Sequence, residues 1–310
     1  MAGPAPIAPC QRHAFGVCWR GLERGPPDVL CKIGDVEVWR IVDWQAPFVA
    51  PERLFPNAPK DVAEIIERLA PGSVDGASGR LILPVQAFLL KRPGQTILVD
   101  TGIGNHKTSE FKPWAGREDT RFLSGLAAAG VTPESIDVVF CTHLHGDHVG
   151  WNTRLDDGRW VPTFSRARYL IPAEGKALFG PETSAMFDES VLPVIGAGKA
   201  KVVHGNHEVA PGITRWPTPG HTPGHAALLI ESRGTRAVLA ADTFHSAAQV
   251  RHPEWHFRFD ADPRAAEASR RRLFEMAADT DTEVIASHVL LPSRGLVQRD
   301  GTRFVWHPIA

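Results

Sequence analysis

The densest group of ionisable side chains in the sequence is the segment THLHGDHVGWN, residues 142–152. Three histidines and an aspartate lie within six consecutive positions of it: His143, His145, Asp147 and His148. Such groups are costly to remove from water side by side unless something compensates them, and a metal ion is the obvious compensator. Imidazole nitrogens suit zinc, iron, cobalt or manganese, and the carboxylate widens the choice. The segment therefore predicts a metal site.

The spacing within this segment indicates two metal ions rather than one. On an extended loop that follows a strand, His143 and His145 are two residues apart and project to the same side. Asp147 and His148 lie where the chain turns into a helix at Gly146, so they cannot easily share one ion with the two histidines. A second ion needs further ligands, and the ends of other predicted strands supply candidates: His221, Asp242 and His288.

Hydrophobic periodicity places these residues on two groups of strands. Alternating or buried runs predict strands at 36–44, 136–141, 166–172 and 282–288, a hairpin at 81–100, and three strands between residues 212 and 244. Helical spacing predicts helices at 61–70, 118–129 and 263–278, the last beginning with Asp262 as its N-cap and Pro263 as its first residue. Each group of strands is followed by helices. This order predicts two sheets packed face to face with helices outside.

The charge balance argues against a large charged partner. The chain has 310 residues, and its 34 basic and 35 acidic side chains give a formal net charge of −1. No overall field therefore favours nucleic acid or an anionic membrane. No apolar run approaches the roughly 20 residues that a membrane span needs. We expect a cytoplasmic protein without nucleic-acid or membrane partners, with a homodimer as one expected assembly.

The first 30 residues differ in composition from the rest. They are rich in proline and glycine and lack periodicity, which predicts an N-terminal arm, either disordered or wrapped over a neighbour. Residues 31–310 are expected to form a single catalytic domain. The chain has four cysteines and no C-x-x-C pair, so a zinc ribbon is excluded and free thiols are expected: Cys10, Cys18, Cys31 and Cys141.

These motifs, in this order, resemble those of the metallo-β-lactamase-fold hydrolases. The likeness covers residues 81–290 and consists of the THLHGDH segment, the GHTPGH segment at 220–225, a strand-end aspartate and a strand-end histidine. The resemblance implies an αββα sandwich of two mixed β-sheets flanked by helices. It also implies a dinuclear site at one edge of the sheets.

The resemblance assigns the donors to two ions. On the family pattern, one ion is held by His143, His145 and His221, the other by Asp147, His148 and His288, and Asp242 bridges both. Zinc is the expected metal, with iron, manganese or cobalt as alternatives. His225 matches a position that usually supports the ligands, although a core histidine fits equally well. Asp100 matches an aspartate that orients a ligand histidine, and His245 is expected either near the site or on the surface.

The physical chemistry of such a pair of ions predicts hydrolysis. A bridging carboxylate and a bridging hydroxide offset the repulsion between the two cations. Binding to a metal ion lowers the pKa of water to about 7, which provides a hydroxide nucleophile at neutral pH. The second ion polarises the carbonyl or phosphoryl oxygen. Asp147 or Asp242 is expected to pass a proton to the leaving group. No Ser–His–Asp triad is required.

Departures from the family pattern narrow the substrate class. β-Lactamases of the B1 type usually have a cysteine where this chain has Asp242, which disfavours antibiotic hydrolysis. Only 22 residues follow His288, fewer than the helical domain of a glyoxalase II needs. The closest resemblance is to the lactonase and methyl parathion hydrolase-like group. We therefore expect hydrolysis of a small hydrophobic ester, lactone or phosphotriester in an apolar pocket lined by tryptophans, for which the candidates are Trp44, Trp114, Trp151 and Trp255.

Three alternatives remain open from the sequence. A mononuclear iron enzyme similar to persulfide dioxygenases would use His143, His221 and Asp242 alone. A glyoxalase II-like thioester hydrolase would use both ions on a different substrate. A binding protein with a vestigial site would be favoured by the loss of a ligand, and none is lost.

Overall fold

Two seven-stranded β-sheets form the framework of the chain in this computed structural model, which describes residues 29–174 and 185–309. The arm predicted over residues 1–30 lies outside the described residues, except for Val29 and Leu30, which begin the first strand. The boundary between an arm and a catalytic domain at residue 31 therefore stays a prediction.

The first sheet contains the strands that lead to the His-rich segment. Its strands are β1 (Val29–Ile33), β2 (Val36–Pro47), β3 (Ile82–Arg92), β4 (Gln95–Val99) and β5 (Val138–Phe140). A separate two-stranded ribbon follows, β6 (Thr153–Asp156) and β7 (Arg159–Pro162), before the sheet is completed by β8 (Arg168–Pro172) and β9 (Ala200–Val203). The sheet order is β1-β2-β3-β4-β5-β8-β9. Strands β1 to β4 pair antiparallel, and β4, β5, β8 and β9 pair parallel, so the sheet is mixed.

The second sheet follows in chain order. Its strands are β10 (His207–Ala210), β11 (Ile213–Pro217), β12 (Ala226–Ser232), β13 (Thr235–Leu239), β14 (Glu283–Ile285), β15 (Arg294–Asp300) and β16 (Arg303–Pro308). All neighbours pair antiparallel except β13 and β14, which are parallel. The strand predicted over residues 282–288 is β14. The charged hairpin of β15 and β16, which extends the sheet beyond it, was not predicted from the sequence.

Short helices connect and flank the sheets. They are α1 (Pro51–Leu54), α2 (Val62–Leu69), α3 (Arg121–Ala128), α4 (Gly146–Val149), α5 (Ala185–Ser190), α6 (Leu192–Gly196), α7 (Ala248–Arg251) and α8 (Pro263–Ala277). The predicted start of α8 is confirmed, since the side chain of Asp262 accepts hydrogen bonds from the backbone of Arg264 and Ala265. Within the described residues, no helix is long and apolar enough to cross a membrane.

Buried apolar side chains lie in layers between these elements. One layer fills the space between the sheets and includes Phe88 of β3 and Leu228 of β12. A second packs the outer face of the first sheet against α3 through Phe122. A third packs the second sheet against α8 through Leu273 and Phe274. The αββα sandwich of two mixed sheets predicted from the sequence is confirmed.

The topology brings the polar strand ends to one edge of the sandwich. β5 runs parallel to β4, and β14 runs parallel to β13, so within each sheet the carboxyl ends of these strands meet at the same edge. The His-rich segment follows β5, Asp242 follows β13 and His288 follows β14. The loop between β11 and β12 carries His221. Hence residues that are far apart in sequence meet at a single edge.

Candidate metal centre

Three histidine rings converge at one side of this edge. His145 is the residue immediately before α4, and its Nδ1 lies 3.1 Å from His143 Nε2 and 2.9 Å from His221 Nε2. His143 and His221 are buried, and His145 is partly exposed. The three nitrogens are close enough to act on one ion, as the predicted set of His143, His145 and His221 requires.

Hydrogen bonds behind two of these rings determine which nitrogen faces the site. His143 Nδ1 lies 3.1 Å from Thr142 Oγ1, and that hydroxyl donates to Asp100 Oδ2 at 2.8 Å. His221 Nδ1 lies 3.0 Å from Asp260 Oδ1. Since a carboxylate only accepts, His221 Nδ1 is the donor, and the hydroxyl that is already donating must accept from His143. Both rings therefore present an unprotonated Nε2 to the centre, where a cation fits.

A second set of donors lies beside the first. His148 Nε2 is 3.3 Å from His288 Nε2, and Asp147 Oδ2 is 3.6 Å from the first of these nitrogens and 3.7 Å from the second. Behind these two rings, His148 Nδ1 donates to Asp100 Oδ2 at 2.8 Å, and His288 Nδ1 donates to the carbonyl of Pro84 at 2.8 Å. The predicted set of Asp147, His148 and His288 is thus also brought together.

The carboxylate of Asp242 lies between the two sets. Its Oδ2 is 3.3 Å from His221 Nε2 and 3.8 Å from His143 Nε2. Its Oδ1 is 3.2 Å from His148 Nε2 and 3.1 Å from His288 Nε2. That Oδ1 is buried and has no hydrogen-bond partner among the described residues. A buried, unpartnered carboxylate oxygen that faces two ring nitrogens fits a cation between them.

Burial and charge act differently on the two sets. Burial lowers the pKa of His143 and His221 well below the ordinary histidine value, and it also lowers the pKa of His145. Burial opposes charge on His148 as well, but the carboxylates of Asp242, Asp147 and Asp100 hold its pKa well above the ordinary value. The first set therefore consists of neutral imidazoles, whereas carboxylates surround the histidines of the second set.

His225, whose role the sequence left open, supports Asp242 instead of facing an ion. Its Nδ1 donates to the carbonyl of Thr218 at 2.9 Å, and its Nε2 accepts from the backbone N–H of Asp242 at 3.0 Å. Both ring nitrogens are therefore occupied. The contact holds the Asp242 backbone beside Ala241, which adopts a left-handed conformation with φ of 47°.

Asp100 and His245 also lie at the site. Asp100 supports a histidine of each set, as the preceding contacts show, which agrees with the role that the resemblance implied. His245 is 2% exposed, so a surface position is excluded, and its Nε2 lies 3.0 Å from Asp242 Oδ2. Its ring stacks on Phe257 with centroids 3.5 Å apart. The sequence missed both Phe257 and Asp260, because neither belongs to a recognisable local motif.

The metallo-beta-lactamase superfamily has a sequence model that matches residues 81–288 of this chain. The chain belongs to this superfamily. An N-acyl homoserine lactonase from a Bacillus species is 29% identical over 251 residues, which cover 76% of this chain and 90% of that protein. Another, from Bacillus cereus, is 31% identical over 191 residues, which cover 58% of this chain and 68% of that protein.

Solved structures of the superfamily share the architecture. The hydrolase AbOPH is 26% identical, has a TM-score of 0.76, and covers 90% of this chain and 96% of its own. AidC, a dizinc quorum-quenching lactonase, is 22% identical, has a TM-score of 0.73, and covers 91% of this chain and 99% of its own. At 22% identity, the likeness to AidC shows a shared fold. With the curated relatives, the superfamily match confirms the predicted enzyme class, a metal-dependent hydrolase.

The tryptophans predicted to line the pocket occupy two different environments. Trp44 and Trp114 pack in one aromatic cluster, with ring centroids 5.8 Å apart, and Trp255 belongs to the same apolar core layer. Trp151 and Trp255 are each 3% exposed, so the prediction that these two side chains line a pocket was wrong. Trp151 stacks on Phe122 in the core against α3. A large aromatic in sequence does not reveal which side of a sheet it faces.

Proposed function

We propose that this chain is a dinuclear metal-dependent hydrolase of hydrophobic lactones. The observation that supports this most directly is the position of Asp242, whose carboxylate lies within 3.3 Å of ring nitrogens from both sets of histidines. A carboxylate placed in this way suits the bridge between two cations. All seven predicted donors meet at this one edge, whereas a mononuclear iron enzyme would need only three of them.

The proposed ligand sets follow the geometry. His143, His145 and His221 would hold one ion, Asp147, His148 and His288 would hold the other, and Asp242 would contribute to both sites. Nitrogen and carboxylate donors of this kind suit zinc, and iron, manganese and cobalt are alternatives. When bound, a pair of divalent ions would supply a hydroxide nucleophile at neutral pH and polarise the scissile carbonyl.

We assign different roles to the two aspartates of the site, Asp242 and Asp147. Both oxygens of Asp242 lie within 3.3 Å of ring nitrogens. This carboxylate is therefore suited to offset the positive charge of the proposed ions, and it is not free to transfer a proton. The side chain of Asp147 is 13% exposed, whereas that of Asp242 is 4% exposed. Asp147 is therefore the better placed of the two to exchange a proton with the leaving alkoxide and with solvent.

The substrate class rests on the relatives and on the apolar rim. The curated relatives are named N-acyl homoserine lactonases, and we propose the same class of substrate for this chain. Phe257 packs on His245 beside the site, and Phe259, 47% exposed, packs against Phe257. These side chains suit an acyl chain, and hydrophobic esters and phosphotriesters of similar size are further substrates to test.

The single tyrosine of the sequence takes no part in this proposal. Tyr169 is buried in the first sheet, and its hydroxyl donates to the carbonyl of Asn152 at 3.1 Å. Any hydrogen-bond donor to the substrate carbonyl must therefore come from another residue.

A substrate panel combined with metal analysis tests the proposal. We expect about two ions per chain in protein purified without added metal, and rapid hydrolysis of N-acyl homoserine lactones. Aryl esters, phosphotriesters, β-lactams and glutathione thioesters complete the panel. Rapid turnover confined to thioesters would favour the glyoxalase II-like alternative, and one iron with oxygen uptake would favour the oxygenase.

Asp242→Ala tests the bridge within the same experiment. Removal of the shared carboxylate leaves two cations unscreened, so we expect loss of at least one ion and most of the lactonase activity. Asp137→Ala is the control, because Asp137 lies at the opposite end of β5 and accepts from the backbone of Thr96. Full metal content and activity in Asp242→Ala would overturn the dinuclear assignment.

A further inference from the structure

Behind His221 lies a buried carboxylate that none of the sequence motifs includes. Asp260 Oδ1 accepts from His221 Nδ1 at 3.0 Å, and the side chain of Asp260 is 0% exposed. Because the ring proton is held on Nδ1, Nε2 is left with a lone pair. That nitrogen lies 2.9 Å from His145 Nδ1 and 3.3 Å from Asp242 Oδ2, at the centre.

Asp260 is itself held on its other side. Its Oδ2 accepts from the backbone N–H of Phe257 at 3.0 Å and lies 3.5 Å from the guanidinium of Arg270. Arg270 is 0% exposed and projects from α8. Its guanidinium also donates to the carbonyls of Thr243, Pro253 and Trp255 at 2.7–2.8 Å. The arginine thus joins the loop of Asp260 to the residue that follows Asp242.

We propose that Asp260, supported by Arg270, is a positioning residue for the metal centre. It holds the His221 ring in one tautomer and one orientation, with Nε2 directed at the ion of the first set. This inference rests on the proposed dinuclear function and adds a residue that acts on an ion only through His221.

The chemistry of the pair favours this role over a purely structural one. A fully buried aspartate and arginine are costly to desolvate, and a well-packed apolar pair of similar volume is often as stable. A buried carboxylate that accepts a hydrogen bond from a ligand histidine fixes the tautomer of that ring. It also makes the other ring nitrogen a stronger ligand for a metal ion. Asp100 has the same relation to His148 in the second set. Each proposed ion therefore has one histidine backed by a carboxylate.

Asp260→Asn is the discriminating variant. Two donors, the Phe257 N–H and the Arg270 guanidinium, surround the position of Oδ2, so the amide oxygen must take that place. The amide NH₂ then faces His221 Nδ1 and forces the ring proton onto Nε2, where it blocks the ion. We expect the affinity of one zinc ion to fall about 10- to 100-fold, while the other ion keeps its affinity.

Two measurements on the full chain report this change without an activity assay. Competition against a chromophoric chelator gives the two zinc affinities. Nitrogen-15 NMR of the metal-free protein reports the His221 tautomer, with the proton on Nδ1 in the wild type and on Nε2 in Asp260→Asn. Asp43→Asn is the matched control, because Asp43 is equally buried, pairs with Arg117, and accepts no hydrogen bond from a proposed ligand.

The outcomes separate this inference from the function on which it rests. If the wild type binds two ions and Asp260→Asn binds both with unchanged affinity, the positioning role is overturned and the dinuclear site stands. If the wild type does not bind two ions, the proposed function itself fails. If Asp260→Asn does not fold, the wild-type spectrum decides, and a His221 protonated on Nε2 overturns the inference.

Discussion

Lys107 is a buried amine that the proposed reaction does not use. Its Nζ donates to Thr153 Oγ1 at 2.6 Å and to the carbonyl of Glu189 at 3.2 Å, and it lies 3.4 Å from the ring centroid of Trp160. Burial lowers the pKa of Lys107 to about 7, although the charge of Glu189 acts in the opposite direction. The face of Trp160 also favours the cation. Desolvation outweighs both, so the amine loses its proton near neutral pH.

Replacing Lys107 with methionine should flatten the pH dependence of stability. An unfolded lysine has a pKa of about 10.4, so above pH 7 the unfolded chain binds more protons than the folded chain. The free energy of unfolding therefore rises with pH in this window, by up to about 1.4 kcal/mol per pH unit from this group. Below pH 7 both states are protonated and the contribution is constant.

Urea unfolding of the wild type and Lys107→Met between pH 7 and 8.5 measures this difference. This window lies below the range in which thiols of the unfolded chain ionise fully. Lys201→Met, at an exposed position, is the control and should keep the wild-type slope. Equal slopes in the wild type and Lys107→Met would show that the buried amine stays charged.

Residues of the centre differ in how far the sequence could reveal them. His143, His145, Asp147 and His148 stand out because chemistry and spacing coincide within six positions. Asp260 has no such signal, since it meets His221 across 39 residues and only the folded loop before α8 brings them together. Arg270 is one of several arginines in the helix predicted over residues 263–278. Its burial depends on which face α8 turns toward the sheet.

At the level of elements, the contact between the His221 loop and α8 depends on a glycine. Gly220 has a φ of +134°, and a Cβ there would lie 2.0 Å from the backbone nitrogen of Ala266. The same loop pairs with the start of the helix, because the N–H of Asp262 donates to the carbonyl of Gly220 at 2.9 Å. Neither backbone can move without shifting the other.

Gly220→Ala should therefore separate the loop from the helix. We expect a loss of about 3 kcal/mol in the free energy of unfolding, since overpacking and an unfavourable φ act together. The affinity of the first ion should fall as well, because His221 is the next residue. Chemical denaturation and zinc titration measure the two effects. Gly234→Ala is the control for backbone strain, with φ of +78° and nothing within 4 Å of its Cβ position. A variant no less stable than this control would contradict the steric argument.

Strands and helices with a clear hydrophobic periodicity could be predicted from the sequence, and those without it could not. The alternation of β2 and the cap of α8 gave correct predictions. The hairpin of β15 and β16 was missed, because RGLVQRD buries only Gly295 and Val297 and carries charge at both ends. Short polar strands of this kind are stabilised by their partners, a contribution that a single-sequence pattern does not contain.

Across the whole molecule, the proposed ligands come from both sheets. His143, His145, Asp147 and His148 follow a strand of the first sheet, and His221, Asp242 and His288 follow strands of the second. Each proposed ion therefore connects the two layers of the sandwich. The resemblance to the metallo-β-lactamase fold predicted a shared site at one edge of the two sheets. Hydrophobic periodicity alone could not predict it, because periodicity does not show which strands are neighbours.

Removal of the ions should lower the stability of the whole sandwich. A ligand that binds only the folded state at 100 times its Kd contributes about 2.7 kcal/mol. We expect a chelator to lower the melting temperature by several degrees, and added zinc to restore it, as measured by scanning calorimetry. Asp242→Ala should show a smaller response to the chelator than the wild type. Identical melting of the metal-free and zinc-loaded wild type would exclude a connection between the sheets through the ions.

The origin of the donors in both sheets also bears on how the chain is made. The ribosome completes the His-rich loop before the other proposed ligands, and His288 is translated 145 residues after His143. Until then the growing chain carries chelating side chains without their full set of partners, and such partial sets bind ions with weak selectivity. The full set of proposed ligands is therefore present only after β14 and His288 have been translated. A chain released before His288 is translated would bind metal ions through an incomplete set of ligands and would lack the proposed activity.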